Sequence, residues 1–219
     1  ILEMGMDSYG EIERLVQISH PDIAIITNIG ESHMENFGSR EGIAKAKLEI
    51  ISQFTKNDLL IVDGDEPLLH NVKVPTIRCG FQSNNDLTIS NVTMDERSTS
   101  FMLQSEEQYT IPLIGSHHAL NATYAIAVAK QLQITNEEII KGFTEVDRTS
   151  MRFEFVEGKD GTQLINDAYN ASPTSMKAAI KVLKQLPNTP EKIVVLGDIL
   201  ELGENSETFH RSIAKVISK

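Results

Sequence analysis

The chain has little cysteine, a deficit of positive charge and no long apolar run, and each shortage excludes a class of protein. Its single cysteine, Cys79, cannot form an internal disulfide, which is typical of the reducing cytoplasm. Lysine and arginine number 20 against 31 aspartates and glutamates, and the formal charge of −11 argues against a nucleic-acid surface. No apolar run approaches the roughly 18–20 residues of a membrane span, and no signal peptide opens the chain. We therefore expect a cytoplasmic protein without nucleic-acid or membrane partners.

Apolar runs alternate with helical patterns in the first part of the chain, which predicts an α/β fold with a mostly parallel sheet. Ile23–Thr27 and Leu59–Val62 are short and continuously apolar, as buried parallel strands are. Residues 41–54, between them, have helical periodicity. Residues 76–114 alternate in short stretches instead and predict a small antiparallel sheet. Two predicted helices follow, at 120–132 and 136–143.

A polar stretch after the second of these helices marks a domain boundary, so we divide the chain into residues 1–147 and 148–219. The pattern beyond it predicts a second, Rossmann-like α/β domain. Ser172-Pro173 supplies the N-cap and first-turn proline of a helix within that domain. The predicted strands of this domain are Phe153–Val156, Gln163–Asn166 and Ile193–Leu196.

Lys47 occupies an unusual position for a charged residue. On the predicted 41–54 helix it falls inside the apolar stripe, whereas Lys45 points to the opposite side. A buried ammonium is unfavourable unless it is paired, neutralised or chemically modified. Alternatively, the stem of the side chain packs while its head reaches water. Periodicity alone leaves both interpretations open.

His33 and Glu3 each follow an apolar, strand-like run. Ligands of α/β sheets gather at the carboxyl ends of the parallel strands, so a metal site or a proton relay is expected there. A lone histidine in a loop is also commonly structural. The shared location of the two side chains makes a cation site the more specific hypothesis.

Seven segments, taken in order and spacing, resemble a known family. They are residues 2–5 (LEMG), 10–12 (GEI), 21–24 (PDIA), 27–33 (TNIGESH), 38–50 (GSREGIAKAKLEI), 167–176 (DAYNASPTSM) and 196–204 (LGDILELGE). The pattern is similar to that of the Mur ligases of bacterial peptidoglycan synthesis, and in particular to the branch that adds D-alanyl-D-alanine. The resemblance covers essentially the whole chain.

This resemblance implies an ATP-dependent amide ligase that joins D-alanyl-D-alanine to UDP-MurNAc-tripeptide through an acyl phosphate. It implies ATP and Mg²⁺ as cofactors, a monomeric parent enzyme, and Glu3 and His33 as magnesium ligands. Lys47 resembles the family lysine that CO₂ carbamylates and that then supports a second metal ion. A carbamate at this position would turn a poorly placed cation into an anion that a divalent ion can neutralise. His33, Lys47 and Arg152 form the implied catalytic set.

The resemblance also implies nucleotide contacts. Asn121 begins a segment similar to the family's adenine-contacting helix, although the family's usual asparagine three residues earlier is His118 here. Arg152 resembles the arginine that reaches the ATP phosphates, and Asp167 the aspartate that faces the nucleotide. A surface salt bridge for Arg152 and a turn cap for Asp167 are the structural alternatives. The residues that the resemblance places near the substrate cleft are Tyr169, Asn170 and Ser172.

A phosphate-binding loop is absent from the 219 residues, in both its G-x-x-x-x-G-K-[ST] and its shorter G-K-T form. In the family this loop precedes the strand with which this chain opens, so we expect both domains to be truncated and the chain as given to be inactive alone. Two rivals stay open: a folylpolyglutamate-type ligase, and a non-catalytic binding or scaffold module. The third residue of the tripeptide, lysine or diaminopimelate, is also left open.

Overall fold

A six-stranded mixed sheet organises the first part of the chain. The computed structural model describes residues 1–95, 97–104, 106–146, 150–186 and 191–217. The strands lie side by side in sequence order. They are β1 (Ile23–Ile26), β2 (Leu59–Asp63), β3 (Thr76–Gly80), β4 (Leu87–Met94), β5 (Thr99–Leu103) and β6 (Glu107–Ile111). Pairing is parallel from β1 to β4 and antiparallel from β4 to β6. The antiparallel prediction over residues 76–114 is therefore wrong for β3, and the antiparallel strands extend the parallel sheet rather than form a separate one.

Helices cover both faces of this sheet. They are α1 (Glu11–Ser19), α2 (Met34–Phe37), α3 (Arg40–Lys47), α4 (Ser116–Gln131) and α5 (Asn136–Thr144). Leu60 and Val62 of β2 belong to the apolar core that α1 to α3 complete, whereas Ile61 packs with Tyr124 of α4. Because successive strand residues point to opposite faces, α1 to α3 and α4 lie on opposite sides of the parallel strands. Among the described residues, no helix combines the length and apolar character that crossing a membrane requires.

The helix predicted over residues 41–54 is shorter than expected. Ser39 caps it by accepting a hydrogen bond from the Gly42 amide, and α3 then ends at Lys47. Leu48–Ile51 continues as a tighter 3₁₀ turn, a common way to end an α-helix. Ile50 and Ile51 still pack against the same core as Ile43, so the predicted apolar stripe persists across the change of helix type.

The second part of the chain contains a short hairpin and two helices that pack against each other. Strands β7 (Glu154–Glu157) and β8 (Gln163–Asn166) pair in antiparallel orientation. Helices α6 (Pro173–Gln185) and α7 (Ser206–Ile217) follow. Ser172 forms a reciprocal capping box with Ser175 at the start of α6, with proline at the first helical position as predicted.

The strand predicted at Ile193–Leu196 is not formed, so that prediction is wrong. Residues 191–200 have no helix or strand, and Ile193 and Val195 are 75% and 92% exposed. An apolar run becomes a buried strand only where neighbouring strands form hydrogen bonds with its backbone N–H and C=O groups. Among the described residues, no strand pairs with residues 193–196. The predicted boundary between residues 147 and 148 falls at positions 147–149, which lie outside the described residues.

Candidate active site at the carboxyl ends of the parallel strands

Side chains from two helices fix the loop that follows β1. Three consecutive carbonyl oxygens of this loop each accept a hydrogen bond from a different side chain. The pairs are Tyr124 Oη to Thr27 (2.9 Å), Lys47 Nζ to Asn28 (2.8 Å) and Arg40 Nη2 to Ile29 (2.8 Å). Tyr124 comes from one face of the sheet and the two cations from the other. The backbone that leads to His33 is therefore tied to both helical layers.

Lys47 is half-buried at the end of α3, and no carboxylate of the described residues pairs with it. Its Nζ donates to the carbonyl of Asn28. Burial lowers the pKa of the Lys47 ammonium, because desolvation disfavours the charged form. A lowered pKa increases the fraction of neutral amine. The neutral amine is the form that adds to CO₂, so this environment suits a lysine that becomes carbamylated.

His33 begins α2 with a left-handed backbone (φ 61°), an uncommon conformation for a residue other than glycine. Its Nδ1 lies 3.1 Å from Oδ1 of Asp7 and 2.9 Å from Oε2 of Glu201. Nδ1 is buried, yet it makes no well-aligned hydrogen bond, so the attraction to the two carboxylates is mainly electrostatic. The ring is therefore positioned by negative charge from two distant parts of the chain.

Glu3, the third predicted metal ligand, is exposed. No hydrogen bond or ion pair within the described residues joins Glu3 to His33 or Lys47, and the same residues contain no ready group of three His, Cys, Asp or Glu that could hold a metal. The donor chemistry near His33 nevertheless suits Mg²⁺, because carboxylate oxygens from Asp7 and Glu201 lie beside a buried nitrogen without an aligned partner. The groups fit the ion in kind, while the predicted trio is not assembled.

Sequence patterns did not single out Arg40 and Glu66. Glu66 is buried after the end of β2, where it forms an ion pair with Arg40 and accepts a hydrogen bond from the Leu68 amide at 3.2 Å. Arg40 also donates to Ile29, so this pair links the loops that follow β1 and β2. A charged residue just after a buried strand is the same signal that identified His33, and it would have identified Glu66.

Arg152 and Asp167 lie close together at one end of the β7–β8 hairpin. Asp167 accepts a hydrogen bond from the Phe153 amide at 3.0 Å, and the Tyr169 amide donates to the carbonyl of Met151 at 3.1 Å. The Arg152 guanidinium lies 4.2 Å from the centroid of the Tyr169 ring. Arg152, Asp167 and Tyr169 are all exposed, so the structure gathers these predicted residues on an accessible surface.

Asn121 lies exposed on α4, which begins at Ser116 and thus earlier than predicted. His118, at the position where an asparagine was expected, packs against His117 with ring centroids 4.1 Å apart. Burial, with a smaller contribution from His117, lowers the pKa of His118 to about 3. Burial also lowers the pKa of His117, and the charge of Asp167 opposes that shift. Both imidazoles are therefore neutral at pH 7, and the hairpin end lies near the start of α4.

The loop after β1 also forms contacts between the two parts of the chain. Glu31 accepts hydrogen bonds from Oγ1 and the amide of Thr174, at 2.9 and 3.3 Å. The Glu35 amide donates to the carbonyl of Glu201 at 3.0 Å. His33 lies between these two contacts in sequence. The candidate site is therefore at the junction of the sheet with the second part.

Two family profiles match the chain and identify its class. The Mur ligase middle domain matches residues 1–129, and the Mur ligase glutamate ligase domain matches residues 151–219. The chain therefore belongs to the Mur ligase family. The predicted family and the predicted α/β class are confirmed.

Individual relatives specify the resemblance further. The chain is 47% identical over 220 residues to the UDP-N-acetylmuramoyl-tripeptide--D-alanyl-D-alanine ligase of Bacillus subtilis (strain 168), covering 100% of this chain and 48% of the relative. Its fold is similar to a crystal structure of MurF from Acinetobacter baumannii, with TM-score 0.90, 31% identity, and 99% and 48% of the two chains covered. It is also similar to MurF ligase from Thermotoga maritima in complex with ADP, with TM-score 0.87, 28% identity, and 99% and 51% covered. The chain spans about half the length of these relatives.

Proposed function

We propose that this chain is part of an ATP-dependent ligase that adds D-alanyl-D-alanine to UDP-MurNAc-tripeptide. The observation that carries the proposal is the 47% identity to the Bacillus subtilis ligase of that name along the whole chain. Residues 1–147 form the central ATP-binding domain, and residues 148–219 belong to the C-terminal domain. The two profile matches, which leave residues 130–150 between them, support this division.

The reaction that fits this assignment proceeds through an acyl phosphate. The free carboxylate of the tripeptide attacks the γ-phosphorus of ATP, and ADP leaves. The amine of D-alanyl-D-alanine then attacks the acyl carbonyl, and inorganic phosphate leaves with its electron pair. Such transfers depend mainly on positioning and on neutralisation of phosphate charge. Arg152 serves as the phosphate-contacting cation, a role that its exposed guanidinium supports.

Magnesium supplies charge neutralisation at the phosphates when it is bound, with Glu3, His33 and carbamylated Lys47 as the residues that hold it. The lowered pKa of Lys47 supports its modification, and its contact with Asn28 places it on the loop that carries His33. The carboxylates beside His33 support a cation in this region. Each residue would contribute either an anionic ligand or an imidazole, and Glu3 would have to move to join the other two.

Asn121, Arg152 and Asp167 contact the nucleotide in this proposal. The charge of Asp167 acts on His117 at the start of α4, the helix that carries Asn121, which supports a site to which both parts of the chain contribute. The ADP complex of the Thermotoga maritima relative supports a nucleotide in a fold of this kind. We extend the proposal to a cytoplasmic, monomeric parent enzyme, in keeping with the single buried cysteine.

The deciding experiment measures ADP release by the full-length protein that contains this chain. ATP, Mg²⁺ and UDP-MurNAc-tripeptide are supplied with and without D-alanyl-D-alanine, in parallel with a folate substrate and glutamate. Turnover that requires the dipeptide supports the proposal. Turnover only with folate and glutamate, or none with either pair, would replace it with one of the two rival hypotheses.

A further inference from the structure

The two parts of the chain meet at the imidazole of His33. Glu201, from the second part, places Oε2 2.9 Å from Nδ1, and Asp7, from the first, places Oδ1 3.1 Å from the same nitrogen. The Asp7 side chain is 74% exposed and the Glu201 side chain 55%. Glu201 is thus the closer and the less hydrated of the two carboxylates. The position of the Glu201 carboxylate beside His33 also depends on how the second part packs.

The backbone around Glu201 is bound to α2, the helix whose N-cap is His33. The carbonyl of Glu201 accepts a hydrogen bond from the Glu35 amide, the second residue of α2. Gly203 packs on the same residue, since a Cβ built there would lie 3.4 Å from Cα of Glu35. Leu202, between them, is buried in the core of the second part. These contacts hold the turn in place on α2 and on the core of the second part. The Glu201 carboxylate therefore lies beside His33.

Left-handed backbone at both residues reinforces this arrangement. His33 and Glu201 each have φ 61°, and such a conformation in a residue other than glycine persists only where the surroundings impose it. Two uncommon conformations that meet across one contact indicate a site shaped for that contact. Packing of the apolar core does not explain a glutamate at position 201, because the Glu201 side chain is more than half exposed.

Nδ1 makes no aligned hydrogen bond, but a negative carboxylate 2.9 Å from one imidazole nitrogen still favours, by electrostatic attraction, the tautomer with the proton on that nitrogen. We propose that Glu201 is a positioning residue for His33: it holds the proton on Nδ1 and leaves the Nε2 lone pair free for the reaction centre. Because Glu201 belongs to the second part, packing of that part on the loop after β1 strengthens the preference for this state beyond what Asp7 provides. The consequence for catalysis rests on the proposed function, whereas the tautomer itself does not.

The test is ¹⁵N NMR of histidine-labelled full-length protein, without metal or nucleotide, at a pH where the imidazole is neutral. A His33→Asn spectrum assigns the signal. In the unmodified protein we expect Nδ1 to carry the proton. Glu201→Ala should raise the Nε2–H population of His33, and Glu204→Ala should not. Glu204 is an exposed carboxylate of the same turn without a described contact to His33, so it controls for the loss of charge.

Glu201→Asn provides a second variant that preserves the turn, because asparagine tolerates left-handed backbone and its short side chain does not reach the ring. If the alanine variant loses its thermal transition, the asparagine variant decides. An unchanged His33 tautomer in a folded variant overturns the proposal. Activity gives an independent arm, in which kcat/KM should fall about tenfold with a raised Mg²⁺ requirement. Absence of ligase turnover in the unmodified protein would refute the proposed function and leave the NMR result to decide on Glu201.

Discussion

The two sides of the junction differ in how firmly they hold their candidate residues. On the sheet side, successive carbonyls after β1 are each fixed by a side chain, and Lys47 and Glu66 are partly or fully buried. On the hairpin side, Arg152 and Tyr169 are exposed and contact mainly each other. Preorganised groups are expected where charge must be neutralised, and mobile groups where a ligand must enter and leave.

This difference suggests a division of labour within the proposed site. In the proposal, the sheet side supplies His33 and Lys47 as fixed groups, and the second part contributes Arg152, Asp167 and Glu201. Contacts such as that of Glu31 with Thr174 form when the two parts pack against each other. Substitutions on the anchored side should therefore remove chemistry, whereas those on the exposed side should mainly weaken capture of the nucleotide.

The largest effect is expected from Lys47→Ala. Loss of the lysine that we propose is carbamylated should lower ligase turnover about a thousandfold in the full-length protein, with little change in folding. ADP release measures the effect, and ¹³C-bicarbonate NMR should show a carbamate signal that the variant lacks. Lys45→Ala is the matched control, since Lys45 is exposed on the same helix and lies 5.4 Å from the Tyr9 ring centroid. An equal loss of turnover in the two variants would contradict the proposed role of Lys47.

Arg152→Ala probes the exposed side and should act through nucleotide binding. We expect kcat/KM for ATP to fall about a hundredfold, because one charged contact to phosphate is lost. Arg152→Lys should recover only part of the activity, since an ammonium does not reproduce the planar stacking on Tyr169. Arg211→Ala serves as the control, because within the part of the chain that the structure describes Arg211 pairs with Glu207 alone, on the surface of α7. An unchanged KM for ATP in the Arg152 variant would contradict the division between the two sides.

Arg40→Leu tests the anchoring itself. It leaves the buried Glu66 carboxylate without its partner, so the free energy of unfolding should fall by about 2 kcal/mol; the half-exposed arginine keeps the loss below that of a fully buried pair. Urea unfolding at pH 7 measures it. Arg14→Leu, on the exposed surface of α1, should cost far less. Faster amide exchange at positions 29–33 in the Arg40 variant alone would show that the pair also restrains the loop.

The architecture was largely predictable because its signals are local. Continuous apolar runs identified β1 and β2, alternation identified β4, and the Ser172-Pro173 pair identified the start of α6. Residues Ile193–Leu196 carry the same apolar signal, but a strand also needs a neighbour to pair with. The amino-acid sequence indicates how strongly a segment favours burial, but it does not indicate whether a neighbouring strand or helix is present to bury that segment.

The site was predictable in location and not in its contacts. The rule that ligands gather at strand ends predicted a site in the loop after β1, where His33 lies, and helical periodicity placed Lys47 on a half-buried face; the roles of both residues stay predictions. Nothing local indicates that Glu201 reaches His33, because that contact depends on the packing of two parts far apart in sequence. The pairing of Arg40 with Glu66 was also missed, because the strand-end signal can indicate Glu66 but not the partner that it pairs with.

The smallest expected effect concerns the buried histidines at the start of α4, which lie between the anchored and the exposed sides. The pKa of His118 falls from its ordinary 6.5 to about 3, so between those values the unfolded chain binds more protons than the folded one. Stability must therefore decrease as pH falls below about 6.5, by about 1 kcal/mol between pH 7 and pH 5 once partial exposure is allowed for. His118→Asn should remove that part of the pH dependence. Urea unfolding of both proteins at the two pH values measures it, and an equal slope in the variant would mean that the pKa of His118 is the same in the folded and unfolded chains.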